Sequence, residues 1–196
     1  MTSQSITSGN FTFTKTSIEG VIAVDVKTYG DERGSFMETY KKPDFIKGGI
    51  DAEFVQDNQS VSVKGVLRGL HYQLKHPQAK LLRVIKGEVF DVAVDLREGS
   101  PTFGKWEGVI LSSENHRQFF IPRGFAHGFL VLSDTAEFCY KCDDVYYPDD
   151  EGGIIWNDPD LGIDWPLQSI TAQKLILNPK DQRNPSFKEL KKVLER

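Results

Sequence analysis

The chain predicts an all-β fold, a jelly roll or sandwich, on three observations. Short runs rich in β-branched and aromatic residues recur along most of its 196 residues. Glycine and proline cluster between those runs, as surface turns require. No glycine-rich strand-to-helix fingerprint opens a long helical pattern, which disfavours a nucleotide-binding βαβ architecture.

The elements follow in chain order. Residues 21–26 alternate in part and are rich in branched side chains, so they predict a strand. A turn-like stretch at 30–34 leads to a strand at 36–40, and 43–47 suits one or two helical turns. A strand over 54–61 places Gln56 and Asn58 on one face, because side chains repeat every second residue. Residues 81–85, then Lys86 and Gly87, then 88–96 read as a hairpin whose glycine supplies the permissive turn. Further short strands are expected over 106–111, 117–121, 128–132 and 136–141. The segment 185–194 is the best helix, with Ser186 able to cap it and Phe187, Leu190 and Leu194 as its docking stripe.

With 39% hydrophobic and 27% charged residues, the composition is that of an ordinary globular protein, and one domain is expected. The net charge of -4, with both signs interspersed, predicts no nucleic-acid partner, although a pocket can still be locally positive. The start, Met1 to Ser5, lacks the basic region and apolar run of a signal peptide, and no stretch has the length of a membrane span. No membrane partner and a cytoplasmic location are therefore expected. Cys139 and Cys142 have no second pair to complete a zinc site, and a strand would point them to opposite faces. A reduced compartment fits better than a disulfide.

Chemistry concentrates in a few places. Gly65-Val66-Leu67-Arg68-Gly69-Leu70-His71-Tyr72-Gln73 puts a cation and an imidazole three residues apart in strand-like sequence. Lys80, His127 in Pro122-Arg123-Gly124-Phe125-Ala126-His127, and Tyr140 also sit beside apolar, β-prone residues. Unpaired burial of such groups is costly, and a fold keeps them together by lining a cavity with them. An enzyme pocket is the leading expectation. From the residues alone, other readings stay open. Lys80 can be a strand-end lysine reaching solvent, Tyr140 a core-edge aromatic, Arg68 one half of a buried ion pair and Asp181 a surface-loop residue. His76 and His116 read as exposed loop residues.

Several motifs together are more specific. Asp31-Glu32-Arg33-Gly34, Phe54-Val55-Gln56-Asp57-Asn58, the 65–73 segment, Gly87-Glu88-Val89-Phe90-Asp91-Val92-Ala93-Val94-Asp95, Ser100-Pro101-Thr102-Phe103-Gly104-Lys105-Trp106 and Pro122-Arg123-Gly124-Phe125-Ala126-His127-Gly128-Phe129 resemble the dTDP-4-dehydrorhamnose 3,5-epimerase family. The resemblance runs from about residue 18 to residue 187. It implies a cupin-type double-stranded β-helix (jelly roll) with a few short peripheral helices. In that picture 1–196 is one domain, with 1–17 and 182–196 as appendages. It also implies a homodimer with exchanged or shared strands, and action on a dTDP-4-keto-6-deoxyhexose without metal or organic cofactor. Gln73 stands where a metal-binding cupin has the second histidine of its first motif, so no metal is expected.

By the same resemblance His71 is the base, Asp181 its carboxylate partner, Lys80 the cation facing the C4 oxygen and Tyr140 the acid on the opposite sugar face. Arg68 and His127 flank the reacting centre or the diphosphate, and Arg33 and Lys180 are phosphate contacts. Gln56 and Asn58 resemble the sugar-nucleotide contacts, Glu38 is expected to bind the thymine or orient a neighbouring base, and Phe36 and Tyr146 are candidate stacking or pocket-wall groups. The expected reaction is inversion at C3 and C5 of dTDP-4-dehydro-6-deoxy-D-glucose, giving dTDP-4-dehydro-L-rhamnose. The alternatives are an epimerase of one carbon in another deoxysugar pathway and a cupin that binds sugar nucleotides without catalysis.

Overall fold

The computed structural model of the chain describes residues 4–170 and 175–194. Residues 1–3 and 195–196, at the outer ends of the two expected appendages, lie outside the described residues. The strands in chain order are β1 Ser5–Ser8, β2 Phe11–Lys15, β3 Ile22–Val26, β4 Thr28–Asp31, β5 Gly34–Met37, β6 Gln56–Val63, β7 Val66–Gln73 and β8 Lys80–Lys86. They continue as β9 Glu88–Asp95, β10 Trp106–Ser112, β11 Gln118–Ile121, β12 Phe125–Val131, β13 Thr135–Cys142, β14 Glu151–Gly153 and β15 Ile176–Leu177. Two short α-helices, α1 Lys42–Lys47 and α2 Phe187–Leu194, lie between and after them. No helix among the described residues is long and apolar enough to cross a membrane.

The strands form two main sheets, ordered β1-β2-β3-β11-β8-β13-β6 and β10-β9-β12-β7-β14, with β15 also on β7. Among the described residues the pairings are antiparallel, except that β15 runs parallel to β7. The sheets face each other over one apolar cluster, in which Leu82, Val84, Phe119 and Phe138 of the first meet Val89, Ala93, Phe129 and Val131 of the second. Phe129 and Phe138 stack across the gap with ring centroids 4.4 Å apart. A second cluster packs the C-terminal part, including Trp165, Phe187 and Leu190, on the outside of the β7-containing sheet. A third packs Phe45 of α1 against Phe11, Phe13 and Leu81 outside the other sheet.

Two expectations are corrected here. The sheets do not close into a jelly-roll barrel; they form a cupin-like sandwich with free edges at β6 and β14. Closure would require those edges to hydrogen-bond, and the polar cavity described below is lined from both of them instead. The 81–96 segment is not a hairpin either. Strand β8 pairs with β11 and β13, whereas β9 pairs with β10 and β12. Gly87, with φ of +80°, turns the chain from one sheet to the other, and a Cβ there would meet Thr135 O at 2.0 Å. The local turn signature is the same in both cases. The facing apolar side chains of both strands favour the sandwich corner.

The C-terminal helix starts as expected, with more support than Ser186 alone. Glu189 accepts from the Ser186 amide and hydroxyl, and the Glu189 amide donates to Ser186 Oγ. That reciprocal arrangement is a capping box.

Candidate active site

A cavity of about 430 Å³ opens between the two sheets. Strand β7 supplies Arg68 and His71 to it, although three residues apart should point to opposite faces. A bulge resolves this. Across β7 and β12, His71 faces His127 and Arg68 faces Phe129, so β7 carries one extra residue. Gly69 sits at that point with φ of +123°, and a Cβ on it would lie 2.5 Å from Gly128 Cα. Leu67 and Leu70 then face the outer apolar cluster, while Arg68 and His71 face the cavity.

His71 Nε2 lies 2.7 Å from Asp181 Oδ1, and Asp181 Oδ2 accepts the Gly69 amide at 3.3 Å. Burial opposes ionisation of Asp181, but the His71 bond and charge and the Gly69 amide outweigh it and hold the carboxyl below its usual range. The carboxylate fixes the Nε2 proton and leaves Nδ1 as the basic nitrogen. The segment bearing Asp181 is fastened to the same strand by β15, which pairs with Val66 and Leu67.

The opposite sheet contributes Lys80 from β8, Tyr140 from β13, and Gln56 and Asn58 from β6. Among the described residues neither the Lys80 ammonium nor the Tyr140 hydroxyl has a protein hydrogen bond, so both are available to a ligand. Burial pushes the Tyr140 phenol up and keeps it protonated at neutral pH. Burial pushes the Lys80 ammonium down, against the pull of Cys142, Asp91 and Glu151, which makes it a readier proton donor to an oxyanion.

His127 is tied to Asp91, with Nε2 2.9 Å from Oδ2. Burial dominates there and holds the imidazole neutral despite its carboxylate partner. Sequence reading missed Asp91, and its signal was a carboxylate inside the apolar run of β9, fully buried in the structure. Glu151 was missed too. It lines the cavity, pairs with Lys180 and accepts the Tyr146 hydroxyl at 3.1 Å. Lys180 thus reaches the cavity wall with its charge already partnered.

The remaining expected residues divide. Gln56 and Asn58 share a face and are bonded to each other at 3.2 Å, and both line the cavity with Arg68, His127 and Tyr146. Arg33, Phe36 and Glu38 do not line it. Arg33 and Phe36 sit on the separate β4–β5 arm, where Phe36 is 67% exposed and Arg33 pairs with Asp31. Glu38, just beyond the arm, accepts from Asn10 Nδ2 at 2.6 Å. Gln73 holds main-chain groups at both ends of its amide, donating to His76 O and accepting from Tyr147 N.

Chemically, the cavity offers a carboxylate-supported imidazole on one wall and a protonated phenol with an unpaired cation on the other. That set can remove a proton from one face of a planar centre, stabilise the resulting anion and return a proton to the other face.

The family profile described as dTDP-4-dehydrorhamnose 3,5-epimerase matches residues 15–189. A dTDP-4-dehydrorhamnose 3,5-epimerase from Methanothermobacter thermautotrophicus is 55% identical over 179 residues, 91% of this chain and 96% of that protein. The crystal structure of the Legionella pneumophila dTDP-6-deoxy-D-glucose-3,5-epimerase, in complex with dTDP-4-keto-L-rhamnose, superposes with a TM-score of 0.88. Its identity is 51%, and the match covers 94% of this chain and 96% of that one. ChmJ, a 3'-monoepimerase from Streptomyces bikiniensis solved with dTDP-quinovose, gives a TM-score of 0.83 at 34% identity, covering 91% and 89%.

Proposed function

The chain belongs to the dTDP-4-dehydrorhamnose 3,5-epimerase family, and from that premise we propose that it converts dTDP-4-dehydro-6-deoxy-D-glucose to dTDP-4-dehydro-L-rhamnose. One observation carries the reading: His71 and Tyr140 enter a single cavity from opposite sheets. Inversion beside a ketone needs that opposition, because an acid on the base's own side would restore the starting configuration.

In this mechanism His71 takes the hydrogen on C3 or C5, and the electron pair moves into the ring to place negative charge on the C4 oxygen. Lys80 faces that oxygen and offsets the charge, the kind of electrostatic contribution that often dominates such steps. Tyr140 then protonates the same carbon from the other face. The imidazolium loses its proton and the phenolate regains one, from solvent or neighbouring groups, before the second carbon reacts. Asp181 supports the imidazolium, and the neutral His127 and the cationic Arg68 border the sugar or diphosphate. No step requires a metal or organic cofactor.

In deuterated water, NMR of the product is expected to show one solvent deuteron at C3 and one at C5. Label at one carbon alone would assign the protein to single inversion, as in the 34%-identical monoepimerase. Label at neither would remove the epimerase reading and leave a cupin that binds sugar nucleotides.

The chain is further proposed to act as one catalytic domain within a homodimer. The exposed arm carrying Arg33 and Phe36 would complete the partner's cavity, with Glu38 at its base. Arg33 would meet phosphate and Phe36 would stack. Subunits bearing His71→Asn, mixed with subunits bearing Arg33→Ala and Phe36→Ala, are then expected to regain activity in the mixed dimer. One of its two sites would hold both an intact cavity and an intact arm. No recovery on mixing would return the arm to its own subunit.

A further inference from the structure

Between β13 and β14 the chain crosses from one sheet to the other, through residues 143–150. Up to Tyr147 this strap has no regular secondary structure, so its main-chain groups need partners from elsewhere. Cavity-lining glutamines supply them. Gln78 Nε2 donates to Asp144 O at 2.8 Å, Gln56 Oε1 accepts from Tyr146 N at 2.9 Å and Gln73 Oε1 accepts from Tyr147 N at 2.9 Å. Gln73 also donates to His76 O at 2.6 Å, and the His76 ring stacks on Tyr147 at 3.9 Å and 18°. Asp150 finishes the clasp by accepting the amides of Lys75 and His76.

The arrangement places Tyr146 on the cavity wall, held from both sheets: Gln56 comes from β6 and Gln73 from β7. We propose that Gln73 and Gln78 are positioning residues, which hold the strap across the cavity mouth so that Tyr146 closes over the bound sugar nucleotide. This rests on the cavity being the sugar-nucleotide site. Both ends of the Gln73 amide are taken up by this main-chain clasp. The Gln56 bond belongs to the same clasp, but Gln56 is also a proposed substrate contact and cannot report on the strap alone.

The test uses Gln73→Leu and Gln78→Leu in the full chain. Binding is read by calorimetry with a dTDP-hexose that lacks the 4-keto group, so that catalysis plays no part. Loss of one hydrogen bond to the strap is expected to weaken binding about tenfold in each variant. KM for the keto substrate rises with it, while kcat stays within about threefold, because proton transfer at His71 and Tyr140 is untouched. Hydrogen exchange at the Tyr147 amide speeds up in Gln73→Leu, whereas β7 and β13 stay protected. Adding Gln73→Leu to Tyr146→Ala weakens binding no further, since the strap then has no ring to position.

Unchanged binding in both glutamine variants would overturn the proposal. So would full additivity with Tyr146→Ala, or a fall in kcat with KM unmoved. The same binding assay separates this failure from that of the proposed reaction: an unlabelled product with an intact glutamine effect would remove the epimerase and keep the strap.

Discussion

His71→Asn is expected to fold, to bind the dTDP-hexose, and to turn over the keto sugar about 10²–10⁴-fold more slowly. Asparagine ends at the level of Nδ1 and does not reach Asp181 as Nε2 does. Asp181 keeps the Gly69 amide at 3.3 Å, however, so the buried carboxylate is not left without a donor. What disappears is the basic nitrogen. Exchange of deuterium into C3 and C5 should vanish in parallel with turnover. Tyr140→Phe separates the two proton-handling roles. It keeps the base, so solvent deuterium enters at the carbons while inverted product falls by a similar factor. If His71→Asn still washes label into both carbons, the base lies elsewhere. Combining the two substitutions should cost much less than the product of the single effects, because both act in one cycle.

Gly69→Ala carries the largest expected effect on the fold itself. A methyl group there would stand 2.5 Å from Gly128 Cα and 2.8 Å from His127 O, both backbone atoms of a central strand. Its φ of +123° lies well beyond the left-handed well that side-chain residues occasionally adopt. Overpacking and backbone strain together should destabilise the protein by about 3 kcal/mol or more. Thermal melting would register this as a fall in Tm of several degrees. Any enzyme that still folds should lose activity, since relieving the clash displaces Arg68 or His71. Gly99→Ala is the control: its φ is also positive, but no atom lies within 4 Å of the added methyl. Equal losses from the two substitutions would show that backbone strain alone, without the close approach to Gly128, accounts for the effect.

Much of the fold was legible because burial writes a period into the chain. The runs at 81–85, 106–111 and 136–141 match β8, β10 and β13 to within two residues at each end. Gln56 and Asn58 share a face because strand geometry leaves them no choice. The errors arose where the deciding contact is remote in sequence. A glycine after Lys86 looks the same whether it closes a hairpin or turns between sheets, and only the packing of Val84 against the other layer decides. Barrel closure was likewise inferred by resemblance, and it depends on two edges that sequence does not pair. At the site, the ionisable residues in apolar context were readable as a group. Asp91 was not, because its meaning lies in His127, 36 positions away. The alternation rule even argued against Arg68 and His71 as neighbours, and one inserted glycine reversed it. Arg33 and Phe36 were readable as chemical types, but their place on an exposed arm was not.

The aromatic stack of Phe129 on Phe138 belongs to the hydrocarbon layer, yet both of its strands continue directly into residues that line the cavity. His127 lies two positions before one ring and Tyr140 two positions after the other. The thickness of that layer therefore acts as a gauge block for the chemistry, fixing how far apart the two walls stand where a flat sugar ring must slide between them.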